Sequence, residues 1–189
     1  MTTSHASRLL AAALGPRAVV IDLPEVAEVP PGCAAYAVVG DFDARALAGR
    51  LPAALAMART LVANHSEASF LTGIDDPGQA AEALTRHCPT VVVTLGDKGA
   101  ICAGSHGLLR QSAPSVTAVD TNGAGDLFTA AWVWADLAGL PVEQRLRLAV
   151  TYAAMSVRVP TTLAGALTID ELRDIAGPFD ASIPSNGAR

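Results

Sequence analysis

Short apolar, β-branched runs alternate along this chain with stretches at helical spacing, and that alternation restricts the fold more than any other feature. Thr90-Val91-Val92-Val93-Thr94-Leu95, closed by Gly96, is the strongest strand signal. Residues 17–22, centred on Ala18-Val19-Val20-Ile21, form a continuous apolar run of the kind a strand buried on both faces of a parallel sheet shows. Residues 35–39 and 60–63 read as two further strands. Between these runs, Asp43 is placed to cap a helix from Ala44 to about Ala58, a helix starts at residues 64–67, and another spans about Pro77 to His87. An earlier helix is expected from about Ser4 to Leu14, stopped by Gly15-Pro16, and the proline-rich stretch Pro24 to Pro31 reads as loop. The alternation predicts an α/β domain with a mainly parallel sheet flanked by helices.

The second half continues the theme. Residues 100–103 and 107–111 read as two short strands forming an antiparallel meander, and Ser115 to Val119 as a strand leading into Asp120-Thr121-Asn122-Gly123-Ala124-Gly125-Asp126. Helical patterns then cover Ala124 to Leu137 and Val142 to Val159, with Trp132 and Trp134 as packing residues. A last short helix is expected over residues 167–172 behind a Thr or Asp cap.

A strand running into a helix through glycines makes an anion site. Gly123 and Gly125 let the backbone approach a ligand, and the first N–H groups of the helix have no intrahelical partners. Phosphate suits such a site. Asp126 beside a bound anion is electrostatically unfavourable unless it has work, and taking the proton of an alcohol that attacks a phosphoryl group is such work. Two other readings exist: Asn122-Gly123 is also a hairpin-turn pair, and Asp120-x-Asn122 could open a calcium loop, although Ala124 then occupies a ligand position and no closing glutamate follows.

The heptad Asp120 to Asp126 resembles the D-T-x-G-A-G-D signature of the PfkB/ribokinase family of carbohydrate kinases. The resemblance implies that Asp126 is the catalytic base and that the amides of Gly123, Ala124 and Gly125 stabilise charge on the transferring phosphoryl group, with Thr121 among the nucleotide contacts. Asn64-x-x-Glu67 resembles the family's second motif, whose side chains help hold Mg²⁺–nucleotide, largely through water. On its own this tetrad is also a capping box. Thr94-Leu95-Gly96-x-x-Gly99 resembles the family's T-L-G-x-x-G element, which implies nucleotide contacts from Thr94, Gly96 and Gly99. Alone it would be a strand followed by a turn, with Lys98 solvated. It is not a Walker A loop. Tyr152 falls in the region that flanks adenine, where the family is usually richer in alanine. ATP and Mg²⁺ are the implied cofactors, with a monovalent cation as a further candidate.

The resemblance covers roughly Thr60 to Leu172, the C-terminal half of a typical member. The other half supplies a sugar-binding carboxylate, a Gly-Gly motif and a β-sheet lid, and no Gly-Gly dipeptide occurs here. The expectation is therefore a single ribokinase-like domain over residues 1–189 lacking the usual N-terminal lid, acting on a sugar-like small molecule, with a homodimer or a partner chain supplying the lid. A non-catalytic nucleotide-binding or assembly module derived from such a kinase is the alternative.

Composition narrows the partners. A net charge of −5 with only 13 Lys and Arg and no basic run argues against nucleic acid or an anionic membrane as ligand. Cys33, Cys88 and Cys102 lack zinc-like spacing, His5, His65, His87 and His106 form no cluster, and no signal-peptide pattern or membrane-length apolar segment occurs. The expected location is cytoplasmic.

Overall fold

The computed structural model describes residues 18–30, 32–160, 167, 168, 170, 171 and 174. The helix expected over residues 4–14, and Ile169 and Leu172 of the last expected helix, lie outside them. The chain forms two compact units, one running to Leu95 and taking in Ile101–Leu109, the other comprising Gly96–Ala100 and the chain from Arg110 onward.

Most of a six-stranded sheet, whose spatial order follows the sequence, lies in the first unit. Strands β1 (Ala18–Asp22), β2 (Ala34–Val38), β3 (Thr60–Asn64) and β4 (Thr90–Thr94) are parallel. Strands β5 (Ala100–Gly104) and β6 (Gly107–Gln111) extend the same sheet through the two-residue turn Ser105-His106. Helices α1 (Asp41–Leu47), α2 (His65–Thr72) and α3 (Pro77–Leu84) fill the crossovers. Alternate strand residues Ala35, Ala37, Leu61, Ala63, Val91, Val93, Ile101 and Ala103 join Leu23, Val26, Leu55, Leu71 and Leu84 in one core. Each large member contributes about 1.5–3 kcal/mol on burial. Their neighbours Tyr36, Val62, Val92 and Cys102 on the opposite face are buried too, so the central strands carry apolar residues at consecutive positions rather than alternate ones.

Several expectations are corrected. β1 is not buried on both faces: it is the outer strand, and Val20 is 46% exposed. Residues 23–28, expected as loop, form a 3₁₀ helix, because Pro24 sits at its start, where a missing N–H costs nothing. The helix expected from Ala44 to Ala58 starts earlier, at Asp41 behind Gly40, and stops at Leu47. Ala48 and Gly49 turn left-handed there, and after Pro52 the chain resumes only as a 3₁₀ turn over Ala53–Met57.

In the second unit, α4 (Ala124–Leu137) and α5 (Val142–Ser156) pack together. Phe128, Ala131, Trp132 and Ala135 recur at i, i+3, i+4, i+7 and are buried, as are Leu146, Ala149 and Val150 of α5. Gly139 closes the turn, its N–H donating to Asp136 O (3.0 Å) while Leu140 N–H donates to Ala135 O (3.0 Å). Asp136, 5% exposed, pairs with the Arg145 guanidinium, whose Nε also donates to Leu140 O. Ser115 to Val119 is not a strand but an irregular segment outside any ladder. The N–H groups of Val119 and Asp120 instead donate to Val157 O at the end of α5 (2.7 and 3.2 Å). Near the C-terminal end of the described residues, Thr168 acts as the expected cap: its Oγ1 accepts from Glu171 N–H (3.3 Å), and the Glu171 carboxylate accepts from Thr168 N–H (2.8 Å).

Candidate active site

In the second unit the heptad forms the entry to α4. The Asp120 carboxylate accepts from Asn122 N–H (3.0 Å), bending the chain before Gly123 takes up a left-handed conformation at φ 76° as the helix N-cap. Only glycine adopts that conformation without strain. Gly123 O accepts the first α-helical bond, from Leu127 N–H (3.0 Å), and Thr129 Oγ1 donates to Gly125 O (2.9 Å). Ala124 N–H donates back to Thr121 O at 3.3 Å, so this amide, expected among the anion-binding groups, is occupied within the turn. The N–H groups of Gly123, Gly125 and Asp126 have no backbone partner among the described residues. Asp126 is exposed in the first turn of α4, and Thr121 is exposed just before it.

A further glycine-dependent turn of this unit lies at residues 96–99. Gly99, at φ 94°, donates its N–H to Gly96 O (3.1 Å). A Cβ there would lie 1.9 Å from Gln111 O, so the close approach of two backbone segments demands glycine.

A pocket of about 460 Å³ lies between the segment entering the heptad and the end of α5, lined by Ser115, Val116, Thr117, Val119, Met155 and Arg158. Tyr152, the residue expected near a base, is on α5 but not in this lining. Met155 and Arg158 were not legible beforehand, because the pocket exists only through the docking of residues 115–120 onto the α5 terminus.

In the first unit, Asn64 ends β3 and is the register partner of Thr94, which ends β4. This brings Asn64, Glu67 and Thr94 to one edge of the parallel sheet, the edge where open α/β sheets collect ligands. Asn64 Oδ1 accepts from Glu67 N–H (2.9 Å) and the Glu67 carboxylate accepts from Asn64 N–H (2.6 Å), a complete capping box at the start of α2. Glu67 is 8% exposed. Burial raises its carboxyl above the ordinary range, the bond from Asn64 opposes this, and the nearby Asp41 charge adds to it. Asp41 is a group the sequence reading passed over, although it too sits just beyond a strand end, that of β2. With Asn64 Oδ1 turned to its own helix, these residues suit a hydrated cation held at one remove by Glu67 better than one ligated directly by Asn64.

Among the described residues no three His, Cys, Asp or Glu side chains group as a metal cage, and no helix is long and apolar enough to cross a membrane. The three cysteines are free, and burial pushes the Cys88 thiol up to about 11, which makes it unreactive.

Comparison with known proteins agrees with this architecture. The model of the pfkB family carbohydrate kinases matches residues 33–169. Mouse ribokinase is 38% identical over 109 residues, covering 52% of this chain and 34% of that protein. Arabidopsis thaliana ribokinase, solved with ribose and ATP, superposes with a TM-score of 0.74 at 25% identity over 93% of this chain and 59% of that one. Phosphofructokinase-2 of Escherichia coli, solved with potassium, gives 0.75 at 18% identity over 92% of this chain and 60% of that one. The fold is therefore ribokinase-like; among the described residues it contains one sheet, and the chain spans only about three fifths of these solved relatives. With the family model matching most of its length, the chain belongs to the pfkB family of carbohydrate kinases.

Proposed function

We propose that this chain binds Mg²⁺–ATP and transfers the γ-phosphoryl group to an alcohol of a carbohydrate or related small molecule. The observation that carries the proposal is the exposed Asp126 carboxylate in the first turn of α4, beside the N–H groups of Gly123 and Gly125, which have no backbone partner among the described residues. Asp126 takes the proton of the acceptor hydroxyl as its oxygen attacks in line, and the helix N-terminus takes up negative charge on the phosphoryl oxygens. Glu67, oriented by Asn64, holds the hydrated metal, and Thr94 and Gly96 contact the nucleotide. When bound, Mg²⁺–ATP supplies the transferable group and the positive charge that offsets its oxygens. A monovalent cation remains part of the proposal, as does a second copy or partner polypeptide contributing the sugar-side lid.

These roles require residues 64, 67, 94, 96 and 123–126 to converge. An experimental structure with a bound Mg²⁺–nucleotide should show them around its phosphates, and Glu67 tens of ångströms from Gly125 would end the kinase reading.

Asp126→Asn tests the base directly. It keeps size and hydrogen bonding but removes the proton acceptor, so transfer to a panel of sugars and nucleosides should fall about 10²–10⁴-fold in kcat while nucleotide affinity holds or tightens. Full retention of wild-type transfer would falsify the assignment. The alternative reading is a nucleotide-binding or assembly module derived from such a kinase. In that case wild type and variant bind nucleotide and neither transfers.

A further inference from the structure

The pocket beside the heptad has a polarity that selects among bases. We infer that it reads a 6-oxopurine, so that Mg²⁺–GTP serves this chain as well as Mg²⁺–ATP or better. The inference rests on the nucleotide reading above and concerns the base alone. Val119 lines the pocket and lies four residues before Gly123, a reach of at most about 14 Å. A triphosphate at the α4 N-terminus therefore has its nucleoside within range of the pocket. Two bonds to Val157 O hold Val119 and Asp120 against the end of α5, fixing one wall to the other.

The wall chemistry is uneven. Val119 and Met155 offer apolar surface to the ring faces, and Ser115 and Thr117 carry hydroxyls that either donate or accept. Arg158 is the charged member of the lining, and a guanidinium only donates. Its Nη1 lies 3.6 Å from Met155 Sδ, which stations the guanidinium on the same wall as the apolar contact. Guanine presents O6 and N7, two adjacent acceptors that match the two-pronged arginine fork, whereas adenine presents an amino group in place of O6 and sets donor against donor. The transfer step is unchanged: the acceptor oxygen bonds to the γ-phosphorus, the bond to the departing GDP breaks, and Asp126 receives the proton.

The test is calorimetric titration of the chain with ATP, GTP and ITP in Mg²⁺, on wild type and Arg158→Met. GTP and ITP, which share O6 and N7, should bind wild type at least as tightly as ATP. In Arg158→Met the ratio of GTP to ATP affinity should fall about tenfold. GTP and ITP binding wild type tenfold more weakly than ATP would overturn the inference and leave the kinase reading standing; because it needs no variant, this arm holds even if Arg158→Met misfolds. A ratio unchanged in the variant would also overturn it, since Arg158 would not be the reader. Failure of all three nucleotides to bind at millimolar concentration would instead sink the nucleotide reading itself.

Discussion

Glu67 meets two opposed demands. Its carboxylate caps α2 by accepting from Asn64 N–H, yet it is nearly buried and faces the charge of Asp41, so folding raises its pKa above the ordinary 4.5. A carboxyl with a raised folded pKa holds its proton more tightly in the native state than in the unfolded chain. Its contribution to stability is therefore fullest below pH 4.5 and is lost as pH rises through the folded value. Glu67→Gln keeps an oxygen for Asn64 N–H and cannot ionise. The metal-free variant should be more stable than wild type at pH 7, with the difference shrinking toward pH 4, as read by denaturant unfolding at both values. A difference that grows on acidification would show that burial does not govern this group. The same variant should lose Mg²⁺-dependent nucleotide binding, because a carboxylate that is costly to ionise gains most from a cation nearby. Asn64→Ala removes the cap oxygen and should cost about 1 kcal/mol without shifting the pH profile.

The α4–α5 hairpin carries both the glycine turn of the heptad and a wall of the pocket, and the Asp136–Arg145 pair joins its helices near their shared turn. Asp136→Ala leaves the guanidinium beside an emptied, buried position and should cost about 3 kcal/mol, and adding Arg145→Met should recover part of that. Equal losses in the single and double variants would mean the pair contributes little beyond packing. Gly99→Ala should be comparably damaging, because the Gln111 carbonyl occupies the place of the new Cβ. Such contacts mark the limit of what sequence patterns convey. Strands β2, β3 and β4 were legible because consecutive apolar residues need cover on both faces, and α4 because its apolar positions repeat every three to four residues. Ser115 to Val119 carries the same β-branched chemistry, but β-propensity expresses itself only where a ladder partner is available, and here the Val119 N–H bonds to a helix end. Gly49 and Pro52 were breakers that the alanine-rich pattern around them obscured. The heptad stood out because its glycines lead into a helical pattern and the seven residues together resemble a family signature, whereas Met155 and Arg158 came to line the pocket only through packing of segments some 40 residues apart in the chain.

At the scale of the whole molecule, the chain matches its solved relatives over nearly all of its own length but only about three fifths of theirs. The described elements carry the residues proposed for nucleotide and metal, and none of them is proposed here for the sugar. Nucleotide binding and sugar phosphorylation should therefore separate experimentally. Mg²⁺–ATP or Mg²⁺–GTP should bind this chain with no sugar present. Binding to the native state alone stabilises by mass action, about 2.7 kcal/mol at a hundredfold excess over Kd, and for a domain of this size that raises Tm by roughly 5–10 °C. The rise should require Mg²⁺ and be lost in Glu67→Gln, and ribose alone should leave Tm unchanged. If ribose alone raised Tm as much as the nucleotide, a complete sugar site would lie within these 189 residues and no lid from elsewhere would be needed. If millimolar Mg²⁺–nucleotide gave neither heat nor a shift in Tm, the α4 N-terminus would be a helix cap and nothing more.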